Sequence, residues 1–290
     1  MVCFAVFELE GEYRVGRRVE GDMLRVLKVE GDVAKDGVML VIGKEIIDDD
    51  SCPSAIPVAS VRLLAPVPRP RRNVFCVGKN YREHALEFAG SGFDSSSAEA
   101  TPQVPILFSK VPEAVVGPGD AIEIDPSVST AIDYEVELAV IIGKEGRNIP
   151  TEKAMDYVWG YTAVNDVTAR DLQFKHNQWL IGKSQDTFCP MGPMAVTKED
   201  IDLTDTTVRS FVNGELRQNS NTKLLIFDVP TIIANLSNGI TLRVGDIIAT
   251  GTPAGVGVGF QPPKYLKDGD RVSVEVQGIG SLENPVVKLN

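Results

Sequence analysis

Apolar residues recur along this chain with two different spacings, and the spacing decides what each stretch becomes. The sharpest alternation is Asp133-Tyr134-Glu135-Val136-Glu137-Leu138, which runs on through Ala139-Val140-Ile141-Ile142 to Gly143. It predicts a strand with Asp133, Glu135 and Glu137 on one face and Tyr134, Val136 and Leu138 on the other. Residues 73–78, 105–110, 160–166, 242–250 and 271–276 read as further strands. Helical spacing appears over 79–88, 151–158, 167–173 and 228–236, with Thr151 and Asp228 as caps and Gly239 as a stop. Before residue 65, short β-like runs are separated by Gly11-Glu12, Glu20-Gly21-Asp22 and Glu30-Gly31-Asp32, which predicts a small meander of hairpins. Pro66, Pro68 and Pro70 then stiffen the chain, so a boundary is placed there: a small N-terminal β domain at 1–65 and a larger domain at 66–290. Strands outnumber helices and no regular βαβ alternation is present. The expected fold is mixed α/β, β-rich and largely antiparallel.

Charge narrows the partners. With 29 basic and 40 acidic residues the formal charge is −11, which argues against nucleic acid and anionic membranes. The cluster Arg69, Arg71 and Arg72 lies among prolines and reads as a solvated linker. Cys3, Cys52, Cys76 and Cys189 show no metal-ligand spacing and are expected to be free thiols. No signal-peptide pattern and no apolar run of membrane-spanning length is evident. A cytoplasmic protein is expected, a processed mitochondrial presequence remaining open.

Three carboxylates on one strand face repel one another and call for positive charge. A hard divalent cation suits an all-oxygen set better than zinc, as no Cys or His is interleaved. A solvent-facing charged strand is an equal alternative, and a lysine permanently set among the acid oxygens would defeat the metal reading. The glycine-rich stretch 251–259 is rejected as a dinucleotide loop, because Phe260-Gln261-Pro262-Pro263 cannot open the helix such a loop needs. A small anion held by Thr252 and backbone N–H groups, or an ordinary turn, remains open. Of the two histidines, His176 lies among polar residues and reads as a surface group. His84 has Glu87 at helical spacing, as a base and its orienting carboxylate would. Residues 90–97 are small and polar, and composition favours a surface insertion over a lid.

Taken together, Val77-Gly78-Lys79-Asn80-Tyr81 with His84, the 133–143 strand, Asn165-Asp166-Val167-Thr168-Ala169-Arg170-Asp171, Gly182-Lys183-Ser184 and Gly251-Thr252-Pro253 resemble the fumarylacetoacetate hydrolase superfamily over residues 66–290. The resemblance looks closest to a branch acting on 2-oxo acids. It implies a β-roll catalytic domain and a metal held by Glu135, Glu137 and Asp166, with Mg²⁺ the usual ion and Mn²⁺ or Ca²⁺ as alternatives. It further implies that His84 and Glu87 activate water or move a proton, that Lys183 stabilises a carbonyl oxygen, and that Tyr81, Arg170, Gln173 and Thr252 bind substrate. An ion pair with Asp171 or another acid is an almost equal reading of Arg170. The activity implied first is hydrolysis of a C–C bond in an acylpyruvate or related 2,4-dioxo acid. Keto–enol tautomerisation or decarboxylation of a 2-oxo dioate such as oxaloacetate is the alternative, and a non-catalytic binding protein a third. A homodimer is also implied.

Overall fold

The structure is a computed structural model that describes residues 1–89 and 102–289. The segment read as an insertion or lid lies outside the described residues. The fold is mixed α/β and strand-rich, as the pattern predicts. One long sheet forms the spine, in the order Ile56–Pro57, Met23–Val26, Glu12–Val19, Cys3–Leu9, Cys189–Thr197, Val158–Asn165, Val136–Ile142, Ile247–Ala249, Val74–Gly78, Ile106–Lys110. Strands adjacent in this order run antiparallel except Ile247–Ala249 beside Val74–Gly78, and off it Val115–Val116 pairs parallel with Cys189–Thr197. A smaller sheet of Glu215–Asn221, Thr207–Val212, Arg271–Val276, Gly280–Lys288 and Ile122–Ile124 packs against its centre. Because Cys3–Leu9 pairs with Cys189–Thr197, the long sheet runs across the boundary placed at residue 65.

Every residue of Val136–Ile142 is buried, which excludes the solvent-facing reading of this strand. Its two faces serve two cores. Val136, Leu138, Val140 and Ile142 pack with Val208, Val272 and Val274 of the smaller sheet. Ala139 and Ile141 pack on the other side with Phe4, Val6 and Val38. A strand buried on both faces should be nearly all apolar; Glu137 breaks that rule at the end where the site lies.

The expected continuous strand over 133–143 is interrupted. Ile132–Asp133 pairs separately with Thr168–Ala169, and the main strand starts at Val136. Between them the backbone bonds to side chains and turns instead of a ladder: Glu135 N–H donates to Asn165 Oδ1, and Asp166 N–H to the Glu135 carbonyl. Residues 151–157 form a 3₁₀ helix, and Thr151 does not cap it. The strand read over 242–250 shortens to Ile247–Ala249. Asp228 does cap its helix, accepting from Thr231 N–H at 2.9 Å. Hairpin turns form at Gly11 and Gly21, both with positive φ, whereas Gly31 leads into the short helix Val33–Asp36.

Candidate active site

Four strands end or begin at one edge of the long sheet, and sheet register alone gathers the site there. Val136 pairs with Asn165, which brings Glu135 and Glu137 beside Asp166. Ala139 pairs with Ala249, and Ile248 with Phe75, so Thr250–Thr252 and Gly78–Lys79 emerge at the same edge. Carboxylate oxygens of Glu135, Glu137 and Asp166 all lie within 4.8 Å of one another, and all three residues are buried. The acids thus converge as expected and could hold a metal ion.

Two lysines and an arginine stand against them. Lys183 Nζ lies 2.8 Å from Glu135 Oε2 and 2.7 Å from Asp166 Oδ2. Lys110 Nζ donates to Asp166 Oδ1 at 2.5 Å and to the Val167 carbonyl at 3.0 Å. Arg170 Nη2 lies 2.6 Å from Glu135 Oε1. The condition set against a metal, a lysine among the acid oxygens, is therefore met at two acids of the three. It is not met at Glu137, which among the described residues has no ion pair and accepts only Gly251 N–H, at 2.8 Å. Lys110, Lys183 and Arg170 thus pair with Asp133, Glu135 and Asp166, and a further buried lysine, Lys79, lines the same cleft. Proton affinities follow. Burial alone would raise the Glu135 carboxyl, but the charges of Lys183 and Arg170 outweigh it and hold it at about 2. Glu137 is pushed well above the usual carboxylate range, by burial first and then by Asp166 and Glu135. Burial would lower Lys183, yet Asp166 and Glu135 raise it, so its ammonium stays charged. An all-oxygen donor set in which Glu137 has no ion pair among the described residues fits a hard divalent cation.

His84 faces the same cleft, and its Nδ1 lies 3.3 Å from Glu87 Oε2. A carboxylate can only accept, so this contact places the ring proton on Nδ1 and makes Nε2 the basic nitrogen. Glu135, Glu137, Arg170, Gln173, Lys183 and Thr252 also line the cleft, whose apolar wall is Val77, Phe108 and Trp179. Tyr81 is buried and does not line it, but lines a neighbouring cleft together with Pro253 and Ala254. Arg170 pairs with Asp133 through Nε at 2.8 Å as well as with Glu135, so the ion-pair reading holds in its "another acid" form. Asp171 instead accepts from Ser129 Oγ. The Thr252 hydroxyl donates to the Val136 carbonyl at 3.0 Å and accepts from Gln218 Nε2 at 2.7 Å. Its proton is committed inside the fold, which weakens the assignment of that hydroxyl to a substrate carboxylate.

The glycine-rich loop does bind anions, but they are the chain's own. Gly251 N–H donates to Glu137, Gly255 N–H to both Glu87 oxygens at 3.0 and 3.2 Å, and Gly257 and Val258 N–H to Asp133 at 2.6 and 3.0 Å. Pattern reading missed this role and the parts played by Lys110, Asp133 and Gln218. For Lys110 a signal existed: a lysine closing the apolar strand Ile106–Lys110 has to find an acid if it is buried.

The structure thus brings a buried acidic triad and a histidine–glutamate pair together at one edge of the mixed sheet. The family model described as fumarylacetoacetate (FAA) hydrolase C-terminal matches residues 73–287, and the chain belongs to the fumarylacetoacetate hydrolase family. It is 50% identical over 230 residues to the oxaloacetate tautomerase YisK of Bacillus subtilis (strain 168), covering 79% of this chain and 74% of that one. Against the human mitochondrial oxaloacetate tautomerase FAHD2A the identity is 44% over 235 residues, covering 80% and 71%. A solved fumarylacetoacetate hydrolase from psychrophilic Exiguobacterium antarcticum matches with TM-score 0.86 and 45% identity over 100% of both chains. The 5-carboxymethyl-2-hydroxymuconate delta-isomerase of Mycobacterium smegmatis matches with TM-score 0.79 and 34% identity, over 99% and 100%. Among the described residues no helix is long and apolar enough to cross a membrane.

Proposed function

We propose that this chain is a keto–enol tautomerase of a small 2-oxo dioate, with oxaloacetate as the model substrate. The observation that carries the reading is the placement of His84 and of the buried lysine Lys183, with a second buried lysine, Lys79, in the cleft lined by Glu135 and Glu137 of the acidic triad. The names of the relatives favour isomerisation over the C–C hydrolysis that the sequence resemblance put first. Glu135, Glu137 and Asp166 would hold the ion, with Mg²⁺ proposed and Mn²⁺ or Ca²⁺ as alternatives. When bound, the ion supplies electrophilic stabilisation of negative charge growing on the 2-oxo oxygen.

The chain's own residues do the rest. His84 Nε2 takes a proton from C3 of the substrate, and the C–H electrons form the C2–C3 double bond. Glu87 holds the ring in the required tautomer and stabilises the imidazolium that results. Lys183 Nζ donates a hydrogen bond to the enolate oxygen, and Arg170 and Gln173 hold the second carboxylate. The proton then returns to oxygen, which completes the tautomerisation with no net change in atoms. Hydrolysis uses the same His84–Glu87 pair to deprotonate water, so one experiment separates the readings. Oxaloacetate enol is presented with Mg²⁺, its ultraviolet absorbance is followed, and products are resolved by chromatography. Enzyme-dependent loss of enol with oxaloacetate intact supports tautomerisation. Release of CO₂, or cleavage of acylpyruvates without enol decay, would replace it by decarboxylation or hydrolysis.

A further inference from the structure

Glycine is needed where φ is positive or where another group comes too close for a side chain. Gly251 and Gly255 in the loop meet the first condition, with φ of +104° and +101°. Gly259 does not, as its φ lies outside the left-handed region. It meets only the second. A Cβ built there would have as its nearest neighbours Oε1, Cδ and Cγ of Glu87, the Cγ at 2.6 Å, all closer than real Cβ atoms approach. The three nearest atoms all belong to one side chain, and that side chain is the orienting half of the proton-transfer pair. Its carboxylate is pinned from another side by Gly255 N–H and touches His84.

We infer that Gly259 is a positioning residue: the missing side chain is the space in which the Glu87 carboxylate stands, and Gly255 N–H fixes it there so that His84 presents Nε2 to the cleft. The group that must yield to a Cβ is the far end of a flexible side chain, so an added methyl costs the fold little. Glu87 simply swings away, and the dyad comes apart. The same loop holds Glu137 through Gly251 and the Arg170 anchor Asp133 through Gly257 and Val258. One backbone segment thereby sets the spacing between the ion ligands, the base and the arginine.

The inference builds on the tautomerase reading, and its test includes a measurement that does not depend on activity. With only two histidines in the chain, ¹⁵N spectra of the neutral imidazoles resolve His84 against the exposed His176 as an internal control. Native protein is expected to show the Nδ1–H form at His84, and Gly259→Ala to lose that preference while His176 stays unchanged. In turnover, Gly259→Ala should lower kcat about 10- to 100-fold, part of what positioned proton transfer supplies, with KM within about twofold. In a Glu87→Ala background the same substitution should cost nothing more, since the group it displaces is gone. An equal loss in both backgrounds, or an unchanged His84 tautomer, overturns the inference. If Gly259→Ala fails to fold, the Gly259→Ala/Glu87→Ala double variant decides: a folded double variant upholds the contact, and an unfolded one overturns it. Wild-type protein inert toward enols but showing the expected spectra would sink the tautomerase reading and leave the positioning role standing.

Discussion

Replacing Glu137 with glutamine separates a metal site from a permanently salt-bridged one, because the two make opposite forecasts for stability. Without divalent ions, and at a pH above its raised proton affinity, Glu137 is a buried charge near two other carboxylates, with ligand oxygens within 4.8 Å. At that distance and an effective dielectric of about 20, two unit charges repel by about 3.5 kcal/mol. Lys183 offsets one of the two repulsions, and relaxation leaves roughly 1–3 kcal/mol of strain that the neutral amide removes. The variant in EDTA should therefore melt higher than wild type by roughly 2–6 °C. Added Mn²⁺ should reverse the order: at a hundredfold excess over Kd a bound ion stabilises wild type by about 2.7 kcal/mol, and the variant gains little. The dependence on pH follows from the raised proton affinity of Glu137. A carboxyl raised in the folded state contributes stability that is complete below its unfolded value, 4.5, and lost as pH rises through the higher folded value. In EDTA, wild type should thus lose stability above pH 4.5 along a slope the glutamine variant lacks. Differential scanning calorimetry with EDTA and with Mn²⁺ across pH reads both effects. A variant that melts lower in EDTA and keeps the full Mn²⁺ increment would refute the reasoning.

Two further outcomes test the surroundings of the site. Lys110→Met removes a fully buried partner of Asp166 and should destabilise the protein by about 3–5 kcal/mol, read from urea midpoints; a change under about 1 kcal/mol would show that Lys183 alone neutralises that acid. Burial raises the thiols of Cys3 to about 11 and Cys189 to about 12, and Cys76 well above its ordinary value, while Cys52 is only half-buried. A thiol-specific disulfide reagent should therefore modify Cys52 in the native protein and the other three only after unfolding.

Much of the architecture could be read from alternation, because a strand's side-chain period survives whatever it packs against. The acid-bearing strand, the helix bearing His84 and the Asp228 cap all follow from local pattern. What escaped reading depends on partners distant in the chain. The strand over 133–143 is broken because Asn165 and Asp166 supply hydrogen bonds that a ladder would otherwise make. Thr252 looked available to a ligand until Gln218, 34 residues earlier, was seen to bond its hydroxyl. Lys110 and Asp166 are 56 residues apart, and no spacing rule links them.

The loop 251–259 explains how so many like charges share one buried site. Four of its amides are given to Glu137, Glu87 and Asp133, and an N–H donor bonded to a carboxylate stabilises it without bringing a mobile side chain. Backbone donors leave the ammonium of Lys183 and the ring of His84 directed at the cleft. They also tie three separate carboxylates to one segment, so Glu137, the His84 partner Glu87 and the Arg170 partner Asp133 are held in fixed relation to one another. Such preorganisation is where enzymes gain most of their electrostatic stabilisation, since no reorganisation accompanies the appearance of charge. The loop glycines serve this arrangement in two ways: Gly251 and Gly255 take the positive φ the turn needs, whereas a Cβ at Gly257 would stand 2.7 Å from Asp133 Oδ1 and one at Gly259 would overlap Glu87.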